Sequence, residues 1–460
     1  MNATHCCHWL STVPAFFCNG LVDIAEVGIG CQLAAAGLDH ASGCLVDAPL
    51  PLRGEVATLR MRDAYGHDSL RRSVGSWPVA DSAARLAGRL VLDDERPSAI
   101  VYDLARLEAR AMELRTALPG FQHCLALKAS PYAAILQRYA GWGFGFEAAS
   151  FTEGLVAHHA APGATVLFDS PAKSRTEIAR AQALGWLLSA NSLQELERMD
   201  APCALRINTL VGAGRIAHTS VCDARSRFGV RLDELPDDLR CEGWHAHVGS
   251  QGGTIDQLVM SARRLVDLAQ RRPGTRWINL GGGMPVEADY GSYGRALRAA
   301  VPELFEGHWT VYTEMGRSLL GGCARAYSRV EYAHHGVATI HLGADFLLRR
   351  VYRPQDWDCP MRALSPDFAP RTGLRQLQTI AGPLCFAGDL LGEIDAPTIA
   401  EGDIVEIGLA GAYTLSMWSR HCSRRMPPVY GLDAADDLQL ISAGESEADL
   451  LRLWRVGGVA

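Results

Sequence analysis

Short apolar runs recur along the middle of the chain, and most are separated by stretches in which leucine and alanine return at helical spacing. AIVYDL at residues 99–104 predicts a strand. ARLEARAMELRTAL after it predicts a helix that stops at Pro119 and Gly120, because proline and glycine end the periodic pattern. Eight further runs follow: HCLALK, FGFE, ATVLFD, WLLSA, CALRI, WHAHV, WINLG and TVYTE. Runs this short and this apolar suit strands buried on both faces, as in a parallel sheet covered by helices. Eight of them over roughly 190 residues predict a (β/α)8 TIM barrel, with an open doubly wound sheet as the alternative. Polar residues favour the barrel. Lys128, Glu147, Asp169, Arg206, His247 and Glu314 sit at the ends of their runs, and in a barrel the C-terminal strand ends converge on one mouth.

After about residue 335 the texture changes to aromatic and β-branched residues between Gly and Pro turns, as in VATIHLGADF, LRQLQTIAGPLC and DIVEIGLAGAYTLSM. The division expected is a barrel over 104–335 and a mostly β C-terminal domain over 336–460, completed by one or more strands from 76–103. Residues 1–75 are rich in Gly, Pro and Cys without sustained periodicity, and read as an extension packed on the outside or partly disordered.

Composition removes several classes of partner. With 460 residues, 48% of them hydrophobic and 21% charged, the chain fits a soluble globular protein of two domains. A net charge of −7 with scattered basic residues argues against nucleic acid and against membrane, and leaves a small molecule as the expected partner. The thirteen cysteines are odd in number and form no CxxC pair, which predicts reduced thiols in the cytoplasm, Cys385 among them. His5, Cys6, Cys7 and His8 look like a metal cluster, but adjacent ligands do not wrap one tetrahedral ion, so no metal site is expected. The apolar run at 9–22 has no Lys or Arg before it and is broken by Pro14 and Gly20, which fits neither a signal peptide nor a membrane helix.

Four kinds of chemistry remain. Lys128, in LALKASP, closes an apolar strand; desolvation there lowers an amine's pKa, and a neutral amine can form a Schiff base. The plainer reading is a lysine reaching solvent from a strand end. In INLGGGMP, the glycines Gly281, Gly282 and Gly283 let backbone N–H groups approach a phosphate, although such a triplet also makes an ordinary tight turn. HAHVGSQ adds His247, able to stack on a flat ring or to sit hydrogen-bonded in the core, and Ser250, able to bond a phosphate. EMGRS supplies Glu314, which can keep a pyridine nitrogen protonated, and Arg317, suited to phosphate or carboxylate, unless the two simply pair. Amine, flat stacker, phosphate cradle and carboxylate together are what pyridoxal 5′-phosphate (PLP) requires.

LALKASP, GFGFEAAS, HAHVGSQ, INLGGG, EMGRS, GPLCFAGD and GAYTLSM also occur in this order in a known family. Over about residues 97–432 the chain resembles the fold-type III, alanine-racemase-like PLP decarboxylases, most of all the diaminopimelate and ornithine decarboxylase group. The resemblance implies that Lys128 carries PLP as a Schiff base and that His247 stacks on its ring. It implies that Ser250, Gly281, Gly282, Gly283 and Tyr413 bind the phosphate and that Glu314 pairs with the pyridine nitrogen. Arg206, Gly316 and Arg317 match positions beside the cofactor. Arg349 matches an arginine for the substrate's distal carboxylate, with Arg350 next to it able to play either that part or an ion pair, and Arg317 and Tyr413 also face the substrate. Family sites are shared across a head-to-tail homodimer, with the thiol matching Cys385 arriving from the second subunit as proton donor.

The chain departs from the motifs at Leu125, Ser130, Glu147 and Met315 without losing a required functional group. Phe386 matters more. Diaminopimelate decarboxylases carry an acid there for the substrate's distal ammonium, which a phenyl ring cannot replace as a pairing partner. The expected activity is therefore PLP-dependent decarboxylation of a diamino, carboxylated or conjugated amino acid, as in siderophore or other secondary metabolism, with His247 and Glu314 beside Lys128 and Cys385 in the catalytic set. A racemase on the same scaffold would favour an arginine over Glu314, and a non-catalytic homologue would tend to have lost Lys128 or the glycines.

Overall fold

The computed structural model describes residues 82–455, apart from 201, 202, 215, 240, 252 and 287. The proposed 1–75 extension, with its His and Cys cluster and its apolar run, lies outside the described residues. Strand β1 (Ser98–Asp103) follows a short helix (Ser82–Leu86). Its last residue caps the following helix, Leu104–Ala117, because the Asp103 carboxylate accepts the free N–H of Arg106 at 3.0 Å.

The apolar runs then form β2 (Gln122–Ala126), β3 (Gly145–Ala148), β4 (Val166–Phe168), β5 (Leu187–Ala190) and β6 (Ala204–Asn208). A two-residue β7 (Val230–Arg231) is followed by β8 (Gly243–His245), β9 (Trp277–Asn279) and β10 (Thr310–Met315). Each strand pairs in parallel with its neighbours. β10 pairs with β2, and β5 pairs with β6, so eight strands close a ring with β7 hanging from β6 outside it. The open-sheet alternative is thereby excluded.

Helices cover the ring because their apolar residues fall on one face. In Ile255–Arg271, Thr254 and Gln257 close a capping box, and Leu258, Ala262, Leu265, Val266 and Ala269 are buried. Truncating Leu265 to alanine would cost about 2–5 kcal/mol through the cavity it leaves. Among the described residues no helix is long and apolar enough to cross a membrane.

The second unit is a mostly β sheet that uses both flanks of the barrel. It contains β11 (Ala324–His334), β12 (Val337–Ile340), β13 (Met361–Leu364), β14 (Arg375–Ala381), β15 (Leu390–Pro397), β16 (Ile404–Ile407), β17 (Val429–Leu432) and β18 (Leu438–Ser442). The sheet order is β15-β14-β12-β11-β1-β17-β18, with β16 joining β11 to β13. β1 runs antiparallel to β11, Ser98 opposite Ser328, and parallel to β17, Ile100 opposite Val429. The sheet takes up the chain at Ala324, earlier than the change in texture near 335 suggests. The start of β11 is buried on both faces and lacks the alternation that marks an exposed sheet.

Candidate active site

The mouth of the barrel is organised around Lys128, which lies in a single 3-10 turn (Leu127–Ala129) just beyond β2. The sheet domain holds this turn from outside. Ser416 Oγ donates to the Lys128 carbonyl at 2.8 Å, the Tyr413 N–H donates to the Ala129 carbonyl at 2.9 Å, and Tyr102 Oη bonds Ser130 Oγ at 2.9 Å and the Gly411 carbonyl at 2.8 Å. GAYTLSM, far away in sequence, is thus the buttress of the lysine turn.

Lys128 Nζ is hydrogen-bonded to Glu147 Oε2, on the neighbouring strand β3, while 36% of the side chain stays reachable from the mouth. Burial works against the ammonium, but Glu147, Tyr413 and Glu314 outweigh it and raise its pKa. The lowered pKa expected from desolvation alone is corrected here: the carboxylate opposite decides the direction. Burial in turn pushes Glu147 up to about 7, partly offset by Lys128.

Glu314, near the end of β10, is 3% exposed. Its Oε1 accepts from Asn279 Nδ2 at 2.6 Å, and its Oε2 lies 3.5 Å from His245 Nε2 and 3.9 Å from His247 Nδ1. Burial alone would protonate it; the adjacent His245 reverses that and lowers its pKa. Its feared alternative, a plain ion pair with Arg317, is not what it makes. His247 Nδ1 accepts the Gly282 N–H at 3.2 Å, and burial together with Arg206 brings the ring down to about 3, so it is a neutral imidazole.

The glycine triplet fits against this segment through backbone contact. Gly281 and Gly283 hold φ of +66° and +111°. A Cβ on Gly281, Gly282 or Gly283 would run into the carbonyls of Ala246, Glu314 and Gly249 respectively. Gly283 also accepts the Gln251 N–H at 3.1 Å, and Ser250 is pinned by Thr219 through its own N–H and carbonyl. Two backbone loops therefore form one lip beside Glu314. Gly316 is as confined, with the place of its missing Cβ 3.0 Å from Tyr413 Oη.

On the other side, Arg317 and Arg349 share two aromatic rings. Arg317 lies 4.6 Å from the centres of both Trp357 and Tyr413, and Arg349 lies 4.7 Å and 5.5 Å from the same two. Arg317 is 9% exposed, its Nε and Nη2 have no protein partner, and burial, with Arg349 adding to it, brings it down to about 10. Arg350 points elsewhere: it is buried and donates to the carbonyls of Leu391 at 2.8 Å and Trp357 at 3.0 Å. Geometry therefore separates the two arginines, one facing the cleft and the other bracing the sheet.

Cys385 and Phe386 are not part of this cluster. They occupy the loop between β14 and β15, where Cys385 is exposed. Asp389 organises that loop, its carboxylate accepting from Ala344 N at 2.6 Å and Leu384 N at 2.7 Å, where side chains on Gly343 or Gly382 would collide with it. Phe386 stacks on Tyr352 at 6.1 Å with 8° between the planes and meets His421 edge-on at 6.1 Å.

Sequence reasoning left out three participants, His245, Asn279 and Trp357, and gave Asp169 no task. Asp169 Oδ2 accepts from Arg206 Nη1 at 3.0 Å, and Arg206 also lies 4.7 Å from the Phe228 ring centre. His245 was readable in the His-x-His of HAHVGSQ, and Asn279 in the residue before the glycines. Trp357, in PQDWDCP, carries no periodic signal. A cavity of about 1190 Å³ opens at the other end of the barrel, lined by Asp200, Asp237, Asp238, Glu242 and Arg272, and contains none of these groups.

An amine beside a titratable acid, an ionised carboxylate beneath a neutral flat ring, and a lip of glycine backbone define a site for a carbonyl cofactor bearing a basic ring nitrogen and an anionic tail. The donor set fits PLP. The family described as pyridoxal-dependent decarboxylase, pyridoxal binding domain, matches residues 104–321. A diaminopimelate decarboxylase of Pseudomonas aeruginosa is 31% identical over 364 residues, 70% of this chain and 85% of that protein. An L-glutamyl-[BtrI acyl-carrier protein] decarboxylase of Niallia circulans is 29% identical over 76% of this chain and 92% of its own length. A crystal structure of diaminopimelate decarboxylase from Helicobacter pylori complexed with L-lysine shares the fold, with a TM-score of 0.70 at 23% identity over 78% of this chain and 97% of that one. The chain belongs to the pyridoxal-dependent decarboxylases, in the fold-type III group of the diaminopimelate and ornithine enzymes. It is an amino-acid decarboxylase that works with PLP.

Proposed function

We propose that the substrate is an amino acid whose far end carries a carboxylate or a conjugated acidic group, and that the complete site needs two copies of the chain. The observation carrying the first part is Arg317, almost wholly buried with two guanidinium nitrogens unpaired, beside Arg349 and between Trp357 and Tyr413. Two guanidinium groups in one cleft await an anion. The relatives act on substrates that differ in this far end, a free diamino diacid in one name and a carrier-bound glutamyl group in another. Phe386, held between Tyr352 and His421, offers no carboxylate to a distal ammonium.

Lys128 would hold PLP through Nζ, the 281–283 backbone with Ser250 and Tyr413 its phosphate, and Glu314 its ring nitrogen. PLP, when bound, supplies a ring that takes up the electron pair left on the substrate carbon by departing carbon dioxide. Glu314 stays ionised and so keeps the proton on that nitrogen. Glu147, hydrogen-bonded to Lys128 Nζ, fixes the position of the amine at the mouth. His247, locked as a neutral ring by Gly282, presents an uncharged face. Cys385 Sγ, from a second copy, returns a proton to the substrate carbon. Exposure of Cys385, with Tyr352, Leu377 and Leu390 exposed around its loop, supports a homodimeric arrangement.

The test is carbon dioxide release by the PLP-loaded protein across D- and L-forms of monoamino, diamino and aminodicarboxylic acids and their amide conjugates. Turnover confined to substrates with a distal acid is expected. Equal turnover of lysine or ornithine would overturn the substrate reading.

A further inference from the structure

Behind Glu314 lies a row of buried polar side chains. Arg206 Nη1 donates to Asp169 Oδ2 at 3.0 Å. Asp169 Oδ1 lies 3.7 Å from His245 Nδ1, and Ser189 Oγ bonds the same nitrogen at 3.0 Å. His245 Nε2 lies 3.5 Å from Glu314 Oε2, whose other oxygen is held by Asn279. The row draws on β4, β5, β6, β8 and β10 and crosses the barrel. His245 itself is fully buried.

A histidine kept only for packing would be satisfied by one hydroxyl and an apolar wall. This one has a carboxylate opposite each ring nitrogen, and burying two acids beside it is costly unless they are paired and hydrogen-bonded. When Ser189 Oγ donates to Nδ1, the ring's hydrogen sits on Nε2 and is directed at Glu314. We infer that His245 is a positioning residue: from the side away from the mouth, it holds Glu314 as an ionised, correctly turned acceptor for the cofactor's ring nitrogen. Asn279 does the matching work on Oε1 and ties it to the glycine lip, since its Oδ1 accepts the Gly281 N–H at 2.9 Å. The inference rests on the reading of Glu314 as the partner of that nitrogen. Without His245, a buried Glu314 takes up a proton of its own and ceases to be an acceptor for the ring.

The experiment compares His245→Phe, His245→Gln and Glu314→Gln with the unaltered protein, all loaded with PLP. The near-ultraviolet and visible spectrum of the bound cofactor, its dissociation constant, and kcat and KM are measured separately. His245→Phe is expected to shift the spectrum, weaken cofactor binding about tenfold and lower kcat about 10–100-fold with little change in KM, as for partners that orient a ligand from behind. His245→Gln, whose amide N–H reaches toward Glu314, is expected to recover most of both. Glu314→Gln is expected to show a defect at least as large. A normal spectrum and kcat in His245→Phe, alongside a defective Glu314→Gln, would overturn the inference and leave the reading of Glu314 intact. A normal spectrum in Glu314→Gln would overturn that reading and the inference with it. If His245→Phe does not fold, as judged by thermal unfolding of the cofactor-free protein, His245→Asn takes its place, because its shorter amide stops short of Glu314 and the same losses are expected.

Discussion

Lys128 and Cys385 occupy opposite settings. The lysine sits among side chains fixed from several directions: Glu147 on the neighbouring strand, Ser416 and Tyr413 behind its turn, Glu314 and His247 nearby. The thiol stands exposed on a loop whose order comes from one buried aspartate. A barrel mouth is assembled from strand ends that one chain places together, and its charges are balanced inside that chain. The loop at 382–389 is shaped as carefully, yet within one chain its thiol has nothing to act on. In the proposed reading, the mouth is complete within one chain and the loop calls for a second copy.

Variants at the mouth should cost most. Lys128→Ala removes the amine, and both the visible absorbance of bound cofactor and carbon dioxide release are expected to vanish while the fold survives, as read by circular dichroism. Arg349→Leu should leave cofactor absorbance intact and raise KM for a distally acidic substrate about 10–100-fold with a smaller change in kcat, the scale of a lost charged hydrogen bond. Glu147→Gln sharpens the electrostatic account. Because Glu147 raises the Lys128 pKa, its removal lowers that pKa, and the pH profile of cofactor loading should move to lower pH; an unchanged profile would show that the pair does not govern the amine. On the loop side, Asp389→Asn should lower stability by only about 1–2 kcal/mol, seen as a reduced unfolding midpoint, and leave cofactor absorbance unchanged.

Much of the mouth was legible beforehand, because apolar runs that end in a polar residue carry both the strand and the direction of its end. Lys128, Glu147, Asp169, Arg206, His247 and Glu314 were all visible in that way. What the pattern could not show is which strand ends face one another, so the sign of the Lys128 shift was misread until Glu147 was seen opposite it. His245 and Asn279 escaped because they act through Glu314 and not on a ligand. Trp357 lies in an aperiodic stretch, and only the fold carries it to the arginines. The start of the sheet domain was placed late, since the buried half of β11 lacks the alternation of an exposed strand. Cys385 was recognisable by its motif, but its proposed task lies across an interface that a single sequence does not contain.

The most direct test of the shared site mixes two inactive proteins. Lys128→Ala keeps Cys385, and Cys385→Ala keeps Lys128, so a mixed dimer holds one site with both groups. Co-expressed and assembled at random, the pair is predicted to regain up to about a quarter of the unaltered activity, because half the dimers are mixed and each carries one intact site. A mixture no more active than its parents, with mixed dimers confirmed by mass, would contradict the account.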